Sequence, residues 1–166
     1  MSSRYLILGM TALLVFFVLA SGCARKIVKP NMVPQPGFVG PQAGGPVLEH
    51  ELQVVQTNLQ PIYFDYDRYT LSPEAQAALQ HNAEILRRAP QVAVVAEGHC
   101  DERGTAEYNL ALGDRRSRSA VEFLATAGIV PNRLSTVSYG SELPVDPAHN
   151  EGAWAKNRRV YLRVSR

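Results

Sequence analysis

The densest run of groups able to do chemistry is Glu97-Gly98-His99-Cys100-Asp101-Glu102-Arg103-Gly104-Thr105, followed closely by Asn109, Leu112 and Arg116. On a helix, Asn109, Leu112 and Arg116 fall at i, i+3 and i+7 and share one face, and Asp101 in the polar stretch before it can fold back over the first turn. An acid and a base then look into one hollow. The ligand suited to such a pair is a zwitterion. A carboxylate accepts charge-assisted hydrogen bonds from an ammonium, and a guanidinium fork receives a carboxylate at two points. This reading requires the protein to leave both charges open for the ligand to complete.

Other chemistries find less support. Consecutive residues on an extended loop point in alternating directions, so His99, Cys100 and Asp101 do not converge. No second His/Cys group at ligand spacing accompanies them, because His50, His81 and His149 are scattered. Glu97 and Asp101 would be the acid/base pair for cutting glycan, a reading with no independent support in the sequence. Arg115 and Arg118 fit the solvated side of the helix, and Arg158 and Arg159 fit structural ion pairs.

The elements that must position these groups follow from pattern. Residues 62–66, aromatic and β-branched, predict a strand. Ser72-Pro73-Glu74 is a helix start, with an apolar stripe at Ala75, Ala78, Leu79, Ala83 and Leu86, and Pro90 ends it. Residues 92–96 predict a buried central strand, and 98–105 a polar loop. A second helix runs over 106–127 and is stopped by Gly128 and Pro131. Residues 134–139 predict a third strand, 140–151 a loop and 159–164 a last strand. The order βαβαβ plus a final strand implies an α/β (α+β) two-layer sandwich, a mixed sheet with helices packed against it.

Before residue 61 the chain has another character. Arg4 precedes an apolar run over 6–20, some 15 residues against the roughly 20 of a bilayer span, which suits a signal peptide occupying 1–22. It ends in Ala20-Ser21-Gly22-Cys23, which resembles the lipobox of bacterial lipoproteins, and that resemblance implies an acylated Cys23 (palmitate among its chains) as the mature N-terminus. Two or three acyl chains, at about 0.8 kcal/mol per buried methylene, would anchor the chain durably without spanning the membrane. Ala24 stands where an aspartate would resemble the inner-membrane retention signal, so the resemblance implies the outer membrane. Residues 23–60, rich in Pro and Gly from Pro30 to Pro46, read as a lipidated, flexible linker without regular structure, save a short helical or strand-like piece over 47–55. With Cys23 lipidated, Cys100 has no partner. From Leu59 onward thirteen basic side chains meet thirteen acidic ones, which argues against nucleic-acid binding.

Several blocks carry a specific resemblance. Tyr63-Phe64-Asp65-Tyr66-Asp67-Arg68-Tyr69, the run from Glu97 to Asn109, Leu112-Gly113-Asp114-Arg115-Arg116, Val137-Ser138-Tyr139-Gly140 and Lys156-Asn157-Arg158-Arg159 resemble the peptidoglycan-associated lipoproteins of the OmpA C-terminal-like family. The likeness covers residues 62–166 and implies a non-enzymatic domain, 61–166, that binds the meso-diaminopimelate of peptidoglycan stem peptides and needs no cofactor or metal. Carried over by position, Asp101 and Arg116 clamp the zwitterionic end of that residue. Arg103, Thr105, Asn109 and Leu112 line or shape the pocket, and Tyr66 and Asp67 face it. The resemblance also implies membership of the Tol-Pal envelope system, with roles in cell division and envelope integrity, and a periplasmic β-propeller partner, TolB. The alternatives are a wall anchor of another envelope apparatus and a peptidoglycan hydrolase.

Overall fold

The computed structural model describes residues 46–165. The expectations for the signal peptide, Cys23 and most of the linker lie outside the described residues. Its elements are α1 (Pro46–Asn58), β1 (Ile62–Tyr63), α2 (Pro73–Arg88), β2 (Ala93–His99), α3 (Ala106–Thr126), a 3₁₀ turn (Pro131–Arg133), β3 (Leu134–Gly140), α4 (Glu151–Asn157) and β4 (Arg159–Ser165).

Local chemistry explains the two long helices. Ser72 caps α2 by accepting the Ala75 N–H at 3.2 Å, with Pro73 in the first turn, where its missing N–H costs nothing. At the far end Arg133 donates to the carbonyls of Leu86, Ala89 and Val92, taking up groups the helix terminus leaves bare. Thr105 caps α3 through the Tyr108 N–H. Gly128, at φ +94°, closes α3 in a Schellman arrangement, with Ile129 N–H bonding Leu124 O and Gly128 N–H bonding Ala125 O.

The strands order as β1-β4-β2-β3, with β2 parallel to β3 and antiparallel to β4, and β4 antiparallel to β1. Alternation sends Val94 and Ala96 of β2 and Val160 and Leu162 of β4 into one apolar layer. They meet Leu79, Ala83 and Leu86 of α2 and Ala120 and Leu124 of α3 there. Burying a side chain of this size contributes roughly 1.5–3 kcal/mol. At the bottom of β2 the ladder slips at Gly98/His99, where His99 pairs with Gly140. The chain then leaves the sheet as the loop carrying Asp101.

The short helical or strand-like piece expected over 47–55 is a helix, α1, a little longer at both ends, and its Val55 joins Leu59 in the main core. The Gln56 amide also bonds Leu162 O at 3.0 Å and Val164 N at 2.7 Å, doing for β4 what a longer β1 would have done. Residues 151–157, to which no element was assigned, form α4, capped by Asn150 through the Ala153 N–H. β1 is correspondingly short. Its aromatic continuation turns out of the sheet after Phe64, whose N–H reaches Arg158 O.

Candidate functional site

Four segments meet at the end of β2: the turn 65–69, the loop 100–105, the first turns of α3, and α4 with Arg158. Between them lies a cavity of about 230 Å³ lined by Tyr66, Asp67, Cys100, Asp101, Arg103, Gly104, Tyr108, Asn109, Leu112, Arg116 and Arg158. Seven of the eight binding residues expected from sequence line it. Thr105 does not, because its hydroxyl is spent capping α3. A larger hollow of about 450 Å³ shares Arg158 with it and has a mainly apolar wall from Pro61, Phe64, Ala75 and Ala78, with Asp65, Glu74 and Lys156 also on its lining.

Asn109, Leu112 and Arg116 do share one face of α3, and all three are buried. Asn109 Nδ2 donates to the main-chain oxygens of Asp101 and Arg103, each at 3.2 Å, and so fixes the loop rather than presenting itself to a ligand. Leu112 supplies apolar floor. On the opposite wall Asp67 adopts φ +54° and accepts the Tyr108 hydroxyl, and Tyr66 stands 57% exposed at the rim.

The two central charges are not open in the way expected. Asp101 is 4% exposed, and both its oxygens are engaged. Oδ1 accepts the Arg103 main-chain N–H (3.1 Å) and Nε (3.2 Å), and Oδ2 accepts Arg103 Nη2 (2.7 Å) and Arg158 Nη1 (3.2 Å). Burial pushes this carboxyl up, but the hydrogen bonds from Arg103 and Arg158 outweigh it and hold it below the usual carboxylate range. Arg116 is 0% exposed and spends its fork on main chain: Nε on Arg68 O (2.8 Å), Nη1 on His99 O (2.9 Å) and Nη2 on Asp65 O (3.1 Å). The sequence reading left this guanidinium open for a ligand; the structure corrects that, because its donors are taken by main-chain carbonyls. Its charge faces the cavity, while its donors knit the turn to the end of β2. Asp101 and Arg116 share the cavity but do not pair among the described ion pairs.

Sequence reasoning placed Arg158 in an ion pair without placing it at the site. It is buried, donates to Phe64 O (3.1 Å) and bridges Asp101 to Glu151, 2.7 Å away. Trp154 of α4 was missed as well. Its ring and that of Tyr66 lie 4.2 and 4.0 Å from the Arg103 guanidinium. The matching block Lys156-Asn157-Arg158-Arg159 was the available signal for the first, and nothing local signalled the second.

The remaining candidates fall elsewhere. Glu97 sits on the face of the sheet away from the helices, ion-paired with Arg163 at 2.5 Å, and does not line the cavity with Asp101. Among the described residues no three His, Cys, Asp or Glu side chains are placed to hold a metal ion. Cys100 is buried against the Asn109 carbonyl and Arg116, and burial raises its thiol. His99 stacks on Tyr139 with ring centroids 5.5 Å apart. Burial, helped by the charge of Arg159, lowers it from 6.5 to about 4. The unfolded chain then takes up a proton near pH 6.5 that the folded one refuses until about pH 4. This group should therefore subtract stability progressively as pH falls through that window and leave it untouched above. Denaturant midpoints at about pH 7 and about pH 4.5 should differ less in His99→Phe than in the parent. An equal difference would show that His99 does not contribute.

The comparisons with known proteins give the family and the fold. Residues 63–158 match the model of the OmpA family. The chain is 41% identical to the peptidoglycan-associated lipoprotein of Pseudomonas aeruginosa over 162 residues, 92% of this chain and 94% of that one. It belongs to the OmpA family, among the peptidoglycan-associated lipoproteins. The relative of that name from Agrobacterium fabrum is 40% identical over 84% of this chain and 78% of its own. The crystal structure of the Burkholderia pseudomallei peptidoglycan-associated lipoprotein superposes with a TM-score of 0.61 at 40% identity, covering 64% of this chain and 90% of that one. The C-terminal domain of Helicobacter pylori MotB, 24% identical with a TM-score of 0.61, shares the fold. The OmpA-family fold here is thus the expected mixed sheet with helices, and the cavity lies inside the matched segment.

Proposed function

We propose that this chain is a non-catalytic wall-holding lipoprotein, anchored in the outer membrane by lipid on Cys23, whose folded domain grips peptidoglycan from the periplasm. The observation that carries the reading is the 230 Å³ cavity at the end of β2, where a buried acid and three arginines converge. Its volume is below the roughly 300–1,000 Å³ of pockets that enclose drug-sized molecules, which suits one end group rather than a saccharide. The zwitterionic tip of meso-diaminopimelate is such a group. Its ammonium goes to Asp101 and its carboxylate to the arginine side, with Asp67 and Tyr66 closing over it.

The strength expected is modest. Hydrogen bonds to charged groups contribute about 1.5–3 kcal/mol each, and here they replace bonds the protein already makes to itself, so micromolar affinity is the natural scale. A tethered anchor needs no more, because the wall repeats the same group many times and effective concentration multiplies weak contacts. The family relationship supports a place in the Tol-Pal system, in envelope integrity and division, with a periplasmic β-propeller, TolB, as protein partner.

The test is sedimentation of the full chain in detergent with purified sacculi. The parent should pellet with the wall and release no muropeptides, and Asp101→Ala should stay in solution while retaining its circular dichroism. A parent that stays in the supernatant, or one that releases muropeptides, would overturn the reading.

A further inference from the structure

The acid of the cavity already holds a cation supplied by the protein. Arg103 lies side-on to Asp101 through Nε and Nη2, a two-point contact of the kind a ligand ammonium would have to replace. Its guanidinium is only loosely fixed otherwise. The rings of Tyr66 and Trp154 lie 4.0 and 4.2 Å from it, and cation–π contacts of this kind direct a guanidinium less tightly than hydrogen bonds do. The outer nitrogen, Nη1, is 3.7 Å from Glu151, beyond hydrogen-bond reach, and the side chain is 30% exposed. Arg158 differs: it is 8% exposed and held by Phe64 O, Asp101 and Glu151 together. Arg116 differs again, with its donors on three carbonyls. Of the three arginines lining the cavity, Arg103 alone has both a partner to give up and room to turn.

We propose that Arg103 makes the site selective for a zwitterion by exchanging partners. An incoming ammonium takes its place on Asp101, and the released guanidinium turns to receive the carboxylate on the same carbon of the ligand. This rests on the proposed wall-binding function and names which arginine receives the carboxylate. One ion pair is broken and two are made, so the exchange runs forward only when the ligand brings both charges. A lone ammonium would displace Arg103 from Asp101 and bring no carboxylate to replace that two-point contact, so a stem peptide ending in lysine, with no carboxylate beside its ammonium, is rejected. Arg103 is then the specificity-determining residue, and the self-paired state is the device that excludes the wrong cation.

The experiment is calorimetric titration of the full chain in detergent with two disaccharide tripeptides, one ending in meso-diaminopimelate and one in L-lysine. The parent should prefer the first by at least about tenfold, one charged contact's worth. In Arg103→Met, whose apolar stem still fits beside the two rings, and in Arg103→Gln, the first ligand should weaken and the second should hold or strengthen, so that the preference falls towards one. A preference unchanged in either variant that melts like the parent would overturn the exchange while leaving wall binding intact. If Asp101→Ala abolishes binding of both ligands but the Arg103 variants bind as the parent does, the same conclusion follows. A parent that binds neither ligand overturns both readings.

Discussion

Arg116→Ala should cost the domain about 2–6 kcal/mol, roughly 1–3 for stripping the partner from the buried His99 carbonyl and roughly 0.5–1.5 for each of two part-buried main-chain carbonyls. Those carbonyls belong to Asp65, Arg68 and His99, which lie on the turn after β1 and at the end of β2. One side chain from α3 therefore closes the cavity's back wall. Burial works against its charge and lowers its pKa, and Asp101 and Phe64, whose ring centre is 5.2 Å away, keep the cation tolerable. Against a usual domain stability of about 5–15 kcal/mol, the loss is large enough to leave a sizeable unfolded fraction on warming. Lysine would keep the charge but cannot span three acceptors from one planar group, so Arg116→Lys should recover only a minor part. Urea midpoints of the three proteins decide it. A midpoint for Arg116→Ala close to the parent's would mean that water satisfies the carbonyls, and that the residue's importance lies with the ligand alone.

This expectation also separates two ways of losing wall binding. If Arg116→Ala fails to sediment with sacculi because the domain opens, the result says nothing about contact with the ligand, whereas Asp101→Ala leaves the carbonyl network of Arg116 in place. The acid is thus the cleaner probe of the site and the base the cleaner probe of the fold. From sequence alone the two looked equivalent.

The reason lies in what a sequence can encode locally. The face shared by Asn109, Leu112 and Arg116 was legible because helical periodicity is a local rule, and the cap at Ser72 and the stop at Gly128 are local too, although Thr105 was read as part of the pocket and not as the cap it is. Main-chain carbonyls are carried by every residue, so nothing in the types or spacing marked Asp65, Arg68 and His99 as the acceptors that use up Arg116. The partners of Asp101 divide in the same way. Arg103 is two residues on and reaches it by a tight turn, whereas Arg158 arrives from the far end of the chain because β4 lies beside β2. α1 was legible only as a short helical or strand-like piece, since tertiary packing alone shows that Val55 belongs to the core. α4 has seven residues, of which Ala153 and Asn157 are buried, too few to display a period.

Gly98→Ala should be among the most damaging single-methyl additions to this domain, and it should act by moving α3. A Cβ on Gly98 would lie 1.9 Å from the carbonyl oxygen of Gly113 and 2.6 Å from its carbon, both main-chain atoms that cannot turn aside. The paired glycines let α3 rest directly on β2 just before the bulge. Gly113 is kept there although glycine within a helix costs roughly 0.5–1 kcal/mol relative to alanine. That close approach sets the reach of Arg116 to His99 O, three residues further along the helix. With the methyl present, α3 or β2 must shift, at the upper end of the roughly 1–3 kcal/mol that overpacking costs, and the cavity wall shifts with it. Gly113→Ala provides the contrast. Its closest obstacle is the Ser138 hydroxyl at 2.3 Å, which a second change can remove, although Gly98 O stays at 2.9 Å. Ser138→Gly should therefore restore part of the stability lost in Gly113→Ala and none of that lost in Gly98→Ala. Thermal melts of the two single and two double variants would show it. Equal rescue of both, or a Gly98→Ala protein as stable as the parent, would mean that the helix rides over the added methyl and that the cavity does not depend on this contact.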